Sequence, residues 1–361
     1  MITISLCMIV KNEEKVITRC LESIKDIVDE IIIVDTGSTD HTKAVVQRYT
    51  NKVFNFKWID NFSIARNYAY SKATMDYILW LDADDVVLET DRMMLRQLKQ
   101  DLDPSIDVVM MKYNVGFDEQ GHTTLSYFRE RLTKRANNYQ WHEPVHEYLA
   151  IDGKIINSDI CITHQKEYNS SPDRNLSIYE KVLSREGPLS TRGHYYYARE
   201  LYYHERYDDA IIYFNRFLDS ETGWIEDKIC ACYHLSLCYQ YKNQKENMLQ
   251  TLLRSFSYDE PRAEICCLLG STAMEDANYH KAILWHQLAT QVQKPQHTWG
   301  FMLHDYWGYI PNLQLCLCFY KLGKIKEAIY YNNKAAEYKP EDSAVVQNKR
   351  YFSSLTKRDI N

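Results

Sequence analysis

Along the first 85 positions apolar residues come in short unbroken runs, each closed by a polar or acidic cluster. Ile2 to Val10 reads as a strand that becomes wholly apolar towards its end. Lys11-Asn12-Glu13-Glu14 then makes a turn, with Asn12 as N-cap of a helix carrying Val16, Ile17, Cys20, Leu21 and Ile24 at helical spacing. Glu30 to Val34 is a second strand, ended by Asp35-Thr36-Gly37-Ser38-Thr39-Asp40 and followed by a helix through Tyr49. A strand near Val53 to Phe56, a helix over Phe62 to Thr74 and a strand over Tyr77 to Leu81 continue the alternation, and Asp82-Ala83-Asp84-Asp85 closes it. Right-handed crossovers make the strands parallel, so their following loops share one sheet edge. Open α/β sheets bind ligands at that edge.

The spacing then predicts a helix over 91–102, a strand over Asp107 to Val115, a hairpin turn at Glu119 to His122 and a basic strand edge over Arg129 to Arg135. Trp141-His142-Glu143-Pro144-Val145-His146-Glu147 is a dense polar cluster. Pro144 argues against a helix there, so the side chains alternate, with His142 and His146 on one side. Asp159 to His164 is a further strand.

From Pro172 the strand pattern ceases and helices run onward. Arg206 to Ile211 recurs as Ala277 to Ile283 and Gly323 to Ile329, with a degenerate copy at Gln244 to Leu249. The unit is a helix pair of about 34 residues. An aromatic insertion, Val292 to Pro311, separates the third and fourth units and is expected to pack towards a substrate site or form a dimer contact.

Composition narrows the function classes. The chain of 361 residues is 45% hydrophobic and suggests two domains, read here as 1–170 and 171–361. A net charge of -6 argues against nucleic acid as a partner. No apolar run approaches the roughly 20 residues that span a bilayer, and the N-terminal pattern is unlike a signal peptide, so the expected location is cytoplasmic. The ten cysteines show no C-x-x-C pair and read as small buried hydrophobes. The 29 tyrosines, concentrated after residue 190, read as packing.

Carboxylates emerging from a buried strand suit a hard cation, Mg²⁺ or Mn²⁺, shared with the phosphates of a nucleotide. Taken alone, Asp82, Asp84 and Asp85 serve equally as caps of a following helix. Order and spacing bring in the neighbours. Met8 to Glu14, Cys20 to Ile24, Asp29 to Thr42, Phe62-Ser63-Ile64-Ala65-Arg66-Asn67 and Leu81 to Asp85 together resemble the family 2 glycosyltransferases of the GT-A fold over roughly residues 1–168. The second half resembles tetratricopeptide repeats, whose punctuating prolines match Pro261 and Pro340. The implied fold class is an α/β GT-A, Rossmann-like nucleotide-sugar domain followed by an all-α tetratricopeptide-like domain.

The resemblance implies roles. Ile9, Val10, Asn12, Glu13 and Asp35 would hold the nucleotide base, Arg66 the base or diphosphate, and Asp82 the ribose or metal-bound water, with Ala83 also among the nucleotide-binding residues. Asp84 would ligate the metal, with His164 completing its site. Glu147 would be the base that takes the acceptor's proton, with His146 the runner-up. Such a catalytic domain joined to repeats resembles the sublancin-type peptide S-glycosyltransferases. The expected function is a metal-dependent, inverting transfer of a hexose, glucose or GlcNAc, from a UDP-sugar to Cys or Ser of a peptide or protein such as a bacteriocin precursor. The repeats would contact that acceptor or form a homodimer. The alternatives are a glycosyltransferase acting on cell-surface polysaccharide or lipid-linked glycan, and a non-catalytic repeat scaffold.

Overall fold

The computed structural model describes residues 1–165, 172–185, 187–295 and 298–355. It divides into two compact units, Met1–Tyr196 and Tyr197–Asn361. The boundary expected at 170/171 lies outside the described residues.

The first unit is built on strands β1 (Ile4–Val10), β2 (Glu30–Asp35), β3 (Val53–Asn55), β4 (Tyr77–Trp80), β5 (Asp85–Val86), β6 (Val108–Phe117), β7 (Thr123–Lys134) and β10 (Ile155–His164). They lie in the order β3-β2-β1-β4-β7-β6-β10-β5. β1 pairs in parallel with both β2 and β4, with Val10 opposite Asp35 and Cys7 opposite Trp80. β7 is antiparallel to both β4 and β6, and β10 is parallel to β6, so β10 ends on the same edge as β1, β2 and β4. A separate antiparallel pair, β8 (Trp141–His142) with β9 (Tyr148–Leu149), follows β7 in the chain.

Both faces of the sheet are covered, which is why its parallel strands read as continuous apolar runs. Ile4, Leu6, Met8 and Val10 face a core shared with Ile17, Cys20 and Leu21 of α1 (Ile17–Glu22) and Leu95 of α4 (Glu89–Asp101). Cys7 points the other way, where its Sγ donates to Ala69 O of α3 (Phe62–Tyr70) at 3.6 Å. Two expectations need correction. Asn12 is not an N-cap: α1 begins after Val16, and Asn12 stands in a left-handed turn at φ 57°. The Arg129 to Arg135 strand is not an edge, because β7 lies between β4 and β6, and Arg131 is wholly buried. Helix α2 (Thr42–Val46) is shorter than expected, and α5 (Arg174–Arg185) belongs to the first unit, where Lys181 pairs with Asp60 at 2.8 Å.

Helix α6 (Thr191–Tyr203) carries the chain into the second unit. There α7 (Tyr207–Leu218) follows α6, and α8 (Ile225–Tyr241) with α9 (Lys245–Arg254), α10 (Ala263–Glu275) with α11 (Tyr279–Gln291) and α12 (Tyr309–Lys321) with α13 (Ile325–Ala336) form successive pairs, closed by α14 (Ser343–Ser354). The recurring alanines, Ala210, Ala282 and Ala328, sit fully buried near the starts of α7, α11 and α13. Backbone geometry repeats where sequence does not. Glu205, Asn243, Ala277 and Gly323 all take a left-handed φ, at 59°, 56°, 54° and 74°. After each, the next N–H reaches back five residues: Arg206 to Leu201, Gln244 to Tyr239, Asn278 to Ala273 and Lys324 to Phe319. This is one Schellman turn written four times. It includes the degenerate copy, so the unit is a tetratricopeptide-like array. Gly270 lets α10 and α11 approach, since a Cβ there would lie 2.6 Å from the His286 ring.

The described part of the insertion packs on the repeats' own helices. The Arg199 guanidinium stands over Phe301 at 4.4 Å, and Tyr306 Oη lies 3.2 Å from Tyr233 Oη. Tyr306, Trp307 and Ile310 cover Cys266, Cys267 and Ala289. All ten cysteines are free thiols, and eight are buried. Among the described residues no helix is long and apolar enough to cross a membrane.

Only one of the four turns has the glycine its left-handed position favours. A residue with a Cβ there costs about 1–2 kcal/mol, partly recovered because glycine is freer in the unfolded chain. Glu205→Gly and Ala277→Gly are therefore each expected to stabilise the second unit by about 0.5–1 kcal/mol, with Asn243→Gly giving less. Denaturant midpoints of the three variants check this, and a loss of stability in the first two contradicts it.

Candidate functional site

The loops after β1 and β2 are laced together. The Thr39 N–H donates to Asn12 Oδ1 at 2.8 Å and the Asn12 N–H to Ser38 Oγ at 3.0 Å. Thr42 Oγ1 accepts from the Glu13 N–H at 2.7 Å, and Thr36 N donates to Val10 O at 2.9 Å. The left-handed turn at Asn12 is what allows these crossings. Val10 is buried and Ile9 half-buried at the end of β1. Asp35 is turned into its own loop: its buried carboxylate accepts from Gly37 N at 3.0 Å and from Ser38 N, with Lys43 Nζ 3.2 Å away. Burial first, then the charges of Asp84 and Asp82, push the Glu13 carboxyl up to about 7.

The acidic turn after β4 divides its carboxylates by environment. Asp82 Oδ1 accepts from Arg66 Nη2 at 2.8 Å. Burial works against its charge, but Arg66 and Arg131 outweigh it and hold the carboxyl down at about 2. Ala83 is buried. Asp84 and His164 remain partly exposed, with His164 Nδ1 3.4 Å from Asp84 Oδ1 and 3.6 Å from Asp85 Oδ1. Burial opposes charge on His164 too, and the hydrogen bonds and charges of Asp84 and Asp85 overcome it, holding the imidazole up at about 10. Asp84, Asp85 and His164 together place one ligand atom each within 4.8 Å of one another. The carboxylate oxygens suit Mg²⁺ or Mn²⁺, whereas an imidazole nitrogen by itself suits a transition metal better.

Arg66 joins this turn to the polar cluster after β8. Its Nε donates to Glu147 Oε1 at 2.6 Å while Nη2 holds Asp82, and its plane lies 4.7 Å from the Trp80 ring and 5.0 Å from Trp141. Arg129, 4.7 Å from the same Trp80, bonds Glu130 at 2.9 Å and the Glu147 carbonyl at 3.2 Å. The expected pairing of His142 with His146 does not occur. Glu143 and His146 both adopt left-handed φ, at 73° and 53°, which breaks the alternation of an extended strand. His142 stacks on Tyr148, whereas His146 stacks on Tyr196 at 4.6 Å and so stands apart from Glu147's partner Arg66. Glu143 accepts from Ser190 Oγ at 2.6 Å.

Residues 5–157 match the glycosyl transferase family 2 model. The first unit contains a family 2 glycosyltransferase domain. Among curated relatives, a TPR repeat-containing protein of Synechococcus elongatus is 35% identical over 170 residues, covering 47% of this chain and 39% of its own. The SPbeta prophage-derived glycosyltransferase SunS of Bacillus subtilis is 28% identical over 231 residues, covering 60% of this chain and 54% of its own. This chain therefore spans about half the length of the relatives it matches. Among solved structures, S. aureus TarS 1-349 in complex with UDP-GlcNAc aligns with 71% of this chain and 91% of that chain, at 17% identity and a TM-score of 0.40.

The residues that sequence reading leaves out of the glycosyltransferase domain's site are aromatic or basic: Trp80, Tyr113, Arg129, Arg131 and Trp141. They lie in strands whose alternation marks them as buried without saying against what. Arg66 bridges two carboxylates from inside this layer, and a lysine has neither its forked donors nor its plane to stack on Trp80. Arg66→Lys is expected to destabilise the domain by roughly 1–3 kcal/mol, since it weakens charge-assisted bonds to two partly buried carboxylates and loses the stacking. An unchanged thermal midpoint would show that the bridge contributes nothing.

Proposed function

We propose that the protein is a metal-dependent, inverting glycosyltransferase that moves a hexose from a UDP-sugar to a Cys or Ser side chain of a peptide or protein. The observation that carries this reading is the meeting of Asp84 and His164 on one sheet edge, beside the interlaced loops after β1 and β2. Those loops would form the walls of the nucleotide site, and Asp84 with His164 would hold the cation. When bound, that cation supplies Lewis-acid stabilisation of the charge on the departing diphosphate. Asp82, fixed by Arg66, would face the ribose.

Glu147 is the base in this reading. Arg66 holds its Oε1, and no described residue hydrogen-bonds its other oxygen. The acceptor's S–H or O–H gives its proton to Glu147 as its lone pair forms the new bond to the anomeric carbon. The bond from that carbon to the diphosphate oxygen breaks on the opposite face, and the nucleoside diphosphate leaves. A thiol acceptor asks less of this base than a hydroxyl, because a cysteine's pKa lies near 8.5. The stacking of His146 on Tyr196 favours Glu147 over it. The resemblance to sublancin-type peptide S-glycosyltransferases supports a peptide acceptor, with the repeats as its contact surface or as a homodimer contact.

Thermal shift with UDP, alone and with Mn²⁺, tests the donor half: stabilisation that needs both is expected, and Asp84→Asn removes the metal-dependent part. No metal-dependent response in the unaltered protein would sink the reading. Glu147→Gln should lower kcat by about 10²–10⁴ while UDP binding persists. Mass spectrometry of cysteine-containing peptides incubated with UDP-glucose or UDP-GlcNAc should show a single sugar added, and modification of glycan or lipid carriers instead would move the acceptor to those classes.

A further inference from the structure

Three acidic or imidazole groups could be taken as equal ligands of the cation, yet one of them has a different environment. Asp85 is wholly buried, and its oxygens are spoken for. Oδ2 accepts from the Asp82 N–H at 3.0 Å and from Arg131 Nη1 at 3.0 Å. Oδ1 accepts from the Tyr113 hydroxyl at 2.7 Å. We propose that Asp85 is not a ligand of the cation but a positioning residue, and that Asp85, Arg131 and Tyr113 together set the geometry of Asp84 and His164. This inference rests on the metal-dependent reading above.

The charge balance points the same way. Arg131 is fully buried, and among the described residues its Nε and Nη2 have no hydrogen-bond partner. Instead the guanidinium is sandwiched between aromatic faces, 3.8 Å from the Trp80 ring centre and 4.3 Å from Tyr113. A buried guanidinium persists only with a counter-charge. Among the described residues, the carboxylate bonded to it is Asp85. The negative charge of Asp85 is thereby neutralised from below, which leaves Asp84 as the turn's carboxylate for a cation.

Tyr113 carries the effect across to His164. A carboxylate can only accept, so Tyr113 spends its single proton on Asp85. Its oxygen, 3.0 Å from His164 Nδ1, then accepts from that nitrogen. The Asp85–Tyr113–His164 chain thereby fixes where the imidazole stands relative to Asp84. The Tyr113 ring also meets the imidazole edge-on at 5.8 Å, which limits its rotation. The backbone completes the frame: Asp85 N donates to Asp82 O at 3.1 Å, Gln165 N to Asp84 O at 2.9 Å, and β5 places Asp85 opposite His164.

Tyr113→Phe tests this, because it keeps the ring against Arg131 and His164 and removes only the bridging hydroxyl. Mn²⁺ affinity of the full chain in saturating UDP, followed by the EPR signal of free Mn²⁺, should weaken about 10–100-fold. UDP binding without metal should stay as in the unaltered protein. An unchanged Mn²⁺ affinity in Tyr113→Phe would overturn the positioning role while leaving the metal-dependent reading intact. No Mn²⁺ binding by the unaltered protein would overturn both. Arg131→Met gives a second measure: if the folded variant gains Mn²⁺ affinity because Asp85 turns into a ligand, the neutralisation argument stands, and if neither Arg131→Met nor Tyr113→Phe alters affinity it falls.

Discussion

The constraint on which the rest depends is the parallel pairing of β1 with β2 and β4. Parallel strands carry their C-terminal ends to a common edge, so Val10, Asp35 and Trp80 must deliver their following loops side by side. β10, parallel through β6, brings His164 to the same edge from about eighty residues away in the chain, a separation read from Asp84 and His164 themselves. No local preference of the loops would achieve this. Once the edge is set, short polar residues fasten neighbouring loops to one another, as Asn12 does with Thr39.

Charge in this domain is organised by burial. Beneath the edge lies a layer of Trp80, Trp141 and Tyr113 threaded by Arg66, Arg129 and Arg131. Guanidinium groups suit such a layer, because they stack on aromatic faces and present forked donors to carboxylates. Four carboxylates near the edge have one of them: Asp85 with Arg131, Glu130 with Arg129, and Glu147 with Arg66, which also reaches Asp82. The layer thus sorts chemically similar acids. Asp84, with no arginine bonded to it among the described residues, is the one left to face His164.

The second unit is held by a different logic. Its helix pairs repeat a turn geometry more faithfully than a sequence, as the left-handed Glu205, Asn243, Ala277 and Gly323 show. The aromatic insertion is absorbed into this array, with Tyr306 and Trp307 covering a patch of cysteine and alanine that would otherwise be exposed. Free cysteine serves throughout as a small apolar residue.

By itself the sequence determined the alternation of strands and helices, the shared edge, the helical repeats and the run Asp82 to Asp85, because each is written in local periodicity or in a short contiguous motif. It also carried Asp84, His164, Arg66 and Glu147 as candidates. Only the tertiary structure decided which partners they meet. Asp85 and Asp84 are adjacent and chemically identical, yet one lies against Arg131 from β7 and the other does not. His142 and His146 look like one cluster until two left-handed residues between strands turn them apart. Asp35, read as a nucleotide contact from its position, also ties down the amides of its own loop. The physical reason is the same in each case: the charge and direction of a side chain are settled by residues brought close through pairing of distant strands, and those contacts leave no periodic trace along the chain.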